Sequence, residues 1–212
     1  ANIDHMLLDS SGISLNNWRK ELARGKSSNL KDFIRQAIEM NAENSVFVDC
    51  TTSEEVASAY EDMLESNIAV VTPNKKGNSG SFVQYKKLQE LAQKNNVAFL
   101  YETNVGAALP IIHTIKNLLA SGDKIIKIEA VLSGTLSYIF NTFGSSDKSF
   151  SHIVRDAQNK GYTEPDPRDD LSGMDIARKI LILAREIGIK MELKQVQIKQ
   201  FLTKECLRAG SV

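Results

Sequence analysis

The sequence predicts a mixed α/β chain, with a doubly wound parallel sheet over residues 1–103 and an α+β part over residues 104–212. Three observations predict it. Short β-branched runs, "SVFVDC" (45–50), "IAVVT" (68–72) and "VAFLYET" (97–103), alternate with stretches whose apolar residues recur at helical spacing. The links between them are short, as strand–helix–strand crossovers require. Beyond residue 104 the alternation gives way to a helix, a strand and a run of further helices.

Taken in order, "LNNWRKELARG" (15–25) and "NLKDFIRQAIEMN" (29–41) read as amphipathic helices, the second through Leu30, Phe33, Ile34, Ala37 and Ile38. Gly25 and residues 41–44 break them. "SVFVDC" then reads as a buried parallel strand. Thr52, three residues before Glu55, predicts a capping-box start to the helix in "TTSEEVASAYEDMLESN". A buried strand (68–72), a loop "PNKKGNSGS" (73–81), a helix (82–96) and a third strand (97–103) complete the first part. In the second, "LPIIHTIKNLLASGD" is a helix with Pro110 in its first turn, "KIIKIEAVLS" (124–133) a strand, and "GTLSYIFNTF" a helical or mixed run. "SFSHIVRDAQNKG" is a helix ended by Gly161, and Ser172 caps another that runs to about Ile187. "KQVQIKQFLT" (194–203) alternates as a strand does.

Twenty-six basic residues balance twenty-six acidic ones over 212, and no stretch concentrates lysine and arginine. The basic footprint of a nucleic-acid or anionic-membrane binder is therefore absent, and a small-molecule partner is expected. No apolar run approaches the roughly 20 residues of a membrane span, and "ANIDHMLLD" lacks the zones of a signal peptide. Cys50, within an apolar run and expected to be buried, and Cys206 are read as reduced thiols of a cytoplasmic protein. His5, His113 and His152 lack partners at zinc-ligand spacing, and nothing in the sequence supplies Cys50 with a base.

Four stretches could carry chemistry, three of them at predicted strand ends, where open α/β sheets bind ligands. "CTTS" offers Thr51, Thr52 and Ser53, of which helix capping uses one hydroxyl. "TPNKK" offers Lys75 and Lys76, a pair that is solvated in most loops but could meet an anion or a polarised carbonyl here. "YETNVGAALP" combines the Glu102 carboxylate with carbonyls of a glycine-containing loop, which suits a hard cation.

The fourth is "GYTEPDPRDDLSGMDIARK" (161–179), where Glu164, Asp166, Asp169 and Asp170 crowd around Pro165 and Pro167. The prolines hold Glu164 and Asp166 extended. Asp175 and Lys179, four apart, share one face of the following helix. Spacing alone allows a plain capping box with a surface ion pair. Against that, Met174, Ile176, Ala177, Ile180, Leu181, Ile182, Leu183, Ala184 and Ile187 cover most of the helix, so burial is expected and an acid and an amine within it must be paired or employed. A desolvated ammonium loses protons more readily and can serve as a proton donor near neutrality.

Together these four motifs, in this order, resemble homoserine dehydrogenase, most closely the dehydrogenase part of bifunctional aspartokinase/homoserine dehydrogenases, over nearly the whole chain. The resemblance implies a Rossmann-like nucleotide-binding domain at 1–103, a catalytic and dimerisation domain at 104–212, and NADP(H)- or NAD(H)-dependent reversible reduction of L-aspartate 4-semialdehyde to L-homoserine, on the route to threonine and methionine. It implies Lys179 as proton donor, Glu164 and Asp175 as substrate carboxylates with Asp170 close by, and Lys75 near substrate and nicotinamide. Thr51, Thr52 and Gly161 fall where the family touches the dinucleotide, and Glu102 with the carbonyls of Val105, Ala107 and Leu109 matches a structural sodium site. A homo-oligomer is implied as well.

The sequence departs from the family in lacking any G-x-G-x-x-G loop and in carrying Ala108 where glycine is expected. The first strand, its helix and the C-terminal return are missing from the pattern, so the nucleotide domain is expected to be partial. This chain alone is then expected to bind NADP(H) poorly and to turn over slowly or not at all. Two other readings stay open: a Mg2+-dependent hydrolase built on Glu164, Asp166, Asp169 and Asp170, and a folded or dimerisation module without catalysis.

Overall fold

The computed structural model describes residues 1–164, 166–200, 202, 203 and 205. Their contacts divide into two compact units: 1–77 with 83–101, and 78–82 with the residues from 102 onward.

The first unit begins with β1 (His5–Met6), α1 (Trp18–Ala23) and β2 (Lys26–Ser27), the two strands pairing antiparallel. α2 (Leu30–Glu39) starts where the Asn29 side chain accepts the Asp32 N–H at 3.0 Å. The parallel sheet follows as β3 (Val46–Val48), α3 (Glu54–Ser58), α4 (Tyr60–Glu65), β4 (Ala69–Val71), α5 (Lys76–Ser79), α6 (Phe82–Lys94) and β5 (Phe99–Leu100). Its strand order is β3-β4-β5. Two asparagines turn helix into strand: Asn67 (φ 59°) after α4 and Asn96 (φ 51°) after α6 adopt the left-handed conformation that asparagine tolerates.

Phe47, Val70 and Phe99 are in register across the three strands and share one face of the sheet. The fully buried Tyr60 ring packs there, 6.4 Å from Phe47 and 5.8 Å from Phe99, both edge-on. The opposite face is open: Val46 is 54%, Val48 61% and Leu100 56% exposed. The expectation of a fully buried first strand is corrected on that face, because alternation along a strand sends Val46 and Val48 away from the side that the helices cover. Cys50 is likewise exposed rather than buried, since β3 ends at Val48 and the thiol lies beyond its apolar face. Cys206 falls outside the described residues. The α3 cap is Ser53, whose hydroxyl accepts from Val56 N, and not Thr52.

The second unit contains α7 (Ile111–Ala120), α8 (Gly134–Gly144), α9 (Phe150–Asn159), α10 (Pro167–Leu171) and α11 (Met174–Glu186); α8, α9 and α10 enclose an apolar core of Ile139, Ile153, Val154, Ala157 and Leu171, and α11 packs on α7 and α10. α9 ends at Gly161 (φ 71°), with Tyr162 N bonded back to Ala157 O at 2.9 Å, the glycine stop its sequence predicts. The N-cap position of α11 is the left-handed Gly173 (φ 76°) and not Ser172, which closes α10, but the Ser172 hydroxyl still accepts the N–H of Met174, the first residue of α11, at 3.2 Å. The buried Arg185 guanidinium donates to the carbonyls of Asn78 (2.7 Å), Gly80 (2.9 Å) and Met191 (2.9 Å) and binds residues 78–82 to α11.

Neither strand expected in this unit forms. Residues 124–133 join no ladder and leave Ile126 97% exposed. Residues 193–195 form a short 3-10 helix, and 196–200 remain unpaired. Alternation predicts which face a strand would bury, but a ladder needs a neighbouring strand, and the described residues of this unit supply none. Phe201, within the second expected strand, is outside the described residues, as is Pro165. No described helix is long and apolar enough to cross a membrane.

Candidate active site

In the first unit, the residues that end β3 and β4 form two loops, 50–53 and 72–76, around a buried polar network. Asp49, 2% exposed, accepts Thr51 N at 2.7 Å on Oδ1, and on Oδ2 both the Tyr60 hydroxyl and Asn74 Nδ2, the latter at 2.9 Å. The Thr72 hydroxyl donates to Asp49 O (3.0 Å) and accepts Asn74 N (2.8 Å). Burial, with the Asp49 carboxylate beside it, pushes the Tyr60 phenol well above its ordinary range, so it remains a donor. Above this base Thr51 and Thr52 are exposed and Lys75 is half-buried. Thr51 also turns its own loop, its hydroxyl accepting Ser53 N at 3.1 Å. Lys76, adjacent to Lys75, opens α5.

In the second unit, α10 and α11 bring the acids and the amine together. Lys179 Nζ lies 2.7 Å from Asp175 Oδ2, both side chains under one-fifth exposed, and donates at 2.7 Å to the carbonyl of Leu132. Asp170 sits behind them with 7% exposure. Its Oδ2 accepts Glu164 N at 2.8 Å, and its Oδ1 lies 3.0 Å from Thr135 Oγ1, which also reaches Tyr162 O at 2.5 Å. Desolvation raises the Asp170 pKa, the neighbouring Asp175 adds to that, and the Glu164 amide, the Thr135 hydroxyl and Lys179 oppose it. Asp170 therefore holds the backbone that carries Glu164, and its own carboxylate is engaged within the fold.

The four acids proposed as a Mg2+ set do not converge. Asp166 caps α10 by accepting Arg168 N (3.0 Å) and clasps the Arg168 guanidinium at 2.6–2.9 Å, which lowers its pKa. Asp170 turns inward, and no three His, Cys, Asp or Glu among the described residues group as a metal could use them. Glu102 Oε1 and Oε2 accept Ile112 N (2.8 Å) and His113 N (2.9 Å), so this carboxylate closes the N-terminus of α7. The loop between them turns through Gly106 (φ 85°) and Ala107 (φ 51°), with Val105 buried and Leu109 exposed. Gly161, exposed, ends α9 three residues before Glu164.

Sequence reasoning missed Asp49, Tyr60, Thr72 and Asn74, as well as Thr135 and the Leu132 carbonyl. Asp49, Thr72 and Asn74 carried a legible signal, since polar residues directly at strand ends inside "VDC" and "TPN" are placed to be buried. Tyr60 and Leu132 carried none, because their partners lie 11 and 47 residues away.

A parallel sheet with hydroxyls and a lysine at its strand ends, together with a helical unit carrying a desolvated lysine–carboxylate pair, defines a two-part α/β protein of the dinucleotide-binding class. The profile described as "Homoserine dehydrogenase, NAD binding domain" matches residues 6–102, and that described as "Homoserine dehydrogenase" matches 110–208. The chain belongs to the homoserine dehydrogenase family. It is 50% identical over 199 residues to bifunctional aspartokinase/homoserine dehydrogenase 2 of Arabidopsis thaliana, covering 93% of this chain and 22% of that protein. A crystal structure of a Candida auris protein of unknown function superposes with a TM-score of 0.83 at 32% identity, covering 99% of this chain and 60% of that one. A hyperthermophilic archaeal homoserine dehydrogenase in complex with NADPH superposes at 0.65 with 26% identity, covering 76% and 48%. The chain thus spans about a fifth of the length of its plant relative.

Proposed function

We propose that this chain carries the dehydrogenase function of its family, the NAD(P)H-dependent, reversible reduction of L-aspartate 4-semialdehyde to L-homoserine. The observation that carries the proposal is the Lys179–Asp175 pair, which holds an ammonium 16% exposed at the end of a carboxylate-lined segment. In this reading Thr51, Thr52 and Lys75 hold the dinucleotide, with Gly161, and residues 1–103 serve the cofactor while 104–212 serve the substrate. The exposed Thr51 and Thr52 hydroxyls above the Asp49 network support that assignment, since they can donate to phosphate and ribose oxygens, while the Thr51, Ser53, Asn74 and Lys76 amides are bonded within the loops and hold their shape. When bound, the nicotinamide supplies the hydride. Lys179 delivers a proton to the aldehyde oxygen, which becomes the homoserine hydroxyl, and Glu164 and Asp175 hold the substrate ammonium. Asp170 fixes the Glu164 backbone.

The sodium ion belongs to the same proposal, held by Glu102 and the carbonyls of Val105, Ala107 and Leu109. Each Glu102 oxygen that accepts one N–H keeps a second lone pair for a hard cation, which supports it. A small-molecule partner fits the balanced charge, and the family resemblance extends the proposal to a homo-oligomer of a cytoplasmic enzyme.

NADPH absorbance at 340 nm with aspartate semialdehyde tests the reading. A version extended at both ends with the flanking sequence of its relatives oxidises NADPH, this chain alone does so slowly or not at all, and Lys179→Ala in the extended protein lowers kcat by about 10²–10⁴-fold. A Lys179→Ala variant that keeps the wild-type rate removes the proposed mechanism. A divalent-cation-dependent hydrolysis in place of NADPH oxidation would favour the hydrolase reading.

A further inference from the structure

We propose that Asp49, Tyr60 and Asn74 form a positioning network that locks loops 50–53 and 72–76 to each other and so sets the dinucleotide-binding surface of Thr51, Thr52 and Lys75. The identity of the ligand rests on the dehydrogenase reading above; the coupling of the loops does not.

A carboxylate as buried as Asp49 is costly unless its lone pairs are satisfied. The donors that satisfy it are all neutral, and each comes from a different segment: Thr51 N from the first loop, the Tyr60 hydroxyl from α4 and Asn74 Nδ2 from the second loop. Asn74 completes the tie. Its Nδ2 also donates to Ser53 O at 2.8 Å, and its Oδ1 accepts the N–H of Lys76 at 3.1 Å, so one side chain spans the end of the first loop and the start of α5. Thr72 closes the ring between Asp49 O and Asn74 N. Tyr60 is anchored in the sheet's aromatic core between Phe47 and Phe99, which makes the rigid part of the unit the reference for both loops. Asp49, Tyr60 and Asn74 therefore act through Thr51, Thr52 and Lys75. A carboxylate there accepts from several donors at once, whereas an asparagine in its place turns an NH2 toward donors and leaves some of them unpaired.

Amide hydrogen exchange followed by NMR tests the coupling without any nucleotide, with the α9 amides of the other unit as internal reference. In Asp49→Asn the amides of Thr51, Asn74 and Lys76 exchange about tenfold faster or more, together, while α9 is unchanged. Tyr60→Phe, which removes one hydroxyl and keeps the ring, shows the same pattern more weakly and serves if Asp49→Asn does not fold. Titration with NADPH, read by nicotinamide fluorescence, then gives a Kd raised about tenfold in the same variants. Faster exchange confined to Thr51, or faster exchange in both loops with an unchanged Kd, overturns the inference. If this chain binds NADPH too weakly to titrate, the Kd is compared in a version extended at both ends; an extended wild type without affinity for NADPH would overturn the dehydrogenase reading instead, and the loop coupling would still be decided by the exchange rates.

Discussion

Asp175 and Asp170 are both carboxylates beside Lys179, yet their surroundings give them different work. Asp175 pairs with the ammonium at 2.7 Å, so Asp175→Asn weakens both the pair and the proposed grip on the substrate. We expect its KM for aspartate semialdehyde to rise tenfold or more, a larger change than the loss in kcat; an unaltered KM would count against the assigned role. Asp170 is desolvated, and its pKa in the folded protein lies above the ordinary carboxylate value. Its contribution to stability is full below that ordinary value and is lost as pH rises through the raised one. Asp170→Asn removes this titration. Urea midpoints measured from pH 3 to 8 should therefore show the variant gaining on wild type as pH rises through the weakly acidic range, and a constant difference would contradict the burial argument.

Helix ends and one buried arginine carry the next scale. Glu102 satisfies two of the N–H groups that α7 leaves free at its start. Glu102→Ala should cost about 1–2 kcal/mol in thermal or urea unfolding, and exchanging sodium for choline should lower the wild-type midpoint while leaving the variant's unchanged. Should choline lower both midpoints equally, the cation assignment fails and the cap remains. Arg185 lies wholly buried in α11, and its donors reach carbonyls of residues 78, 80 and 191. Arg185→Met keeps most of the volume but strands those oxygens, so we expect a loss of about 2–4 kcal/mol by urea denaturation. A variant as stable as wild type would mean that water replaces the guanidinium.

At the scale of the whole molecule, two units with separate cores give ligands separate handles on stability. NADPH at about 100 times its Kd should stabilise the folded chain by about 2.7 kcal/mol, seen in calorimetry as an upward shift of the transition that includes the parallel sheet. A transition unmoved by saturating NADPH would speak against the Thr51, Thr52 and Lys75 assignment. The three-stranded sheet is covered on its Phe47–Val70–Phe99 face and leaves Val46, Val48 and Leu100 exposed on the other.

What the sequence determined by itself was local or carried by motif order: the alternation of strands and helices, the Gly161 stop, the Asp175–Lys179 spacing and the resemblance that led to the family. These are legible because capping, periodicity and i,i+4 neighbours depend on residues a turn apart. Tertiary structure decided the rest. It made Ser53 the cap in place of Thr52, left residues 124–133 without a ladder, exposed Val46, Val48 and Cys50, and put Glu102 on the start of α7. It also joined Tyr60 to Asp49 and Lys179 to the carbonyl of Leu132. The physical reason is common to all of these: pairing, burial and hydrogen-bond satisfaction are set by what lies across a face or at a strand end, and only the folded chain brings those distant partners within reach.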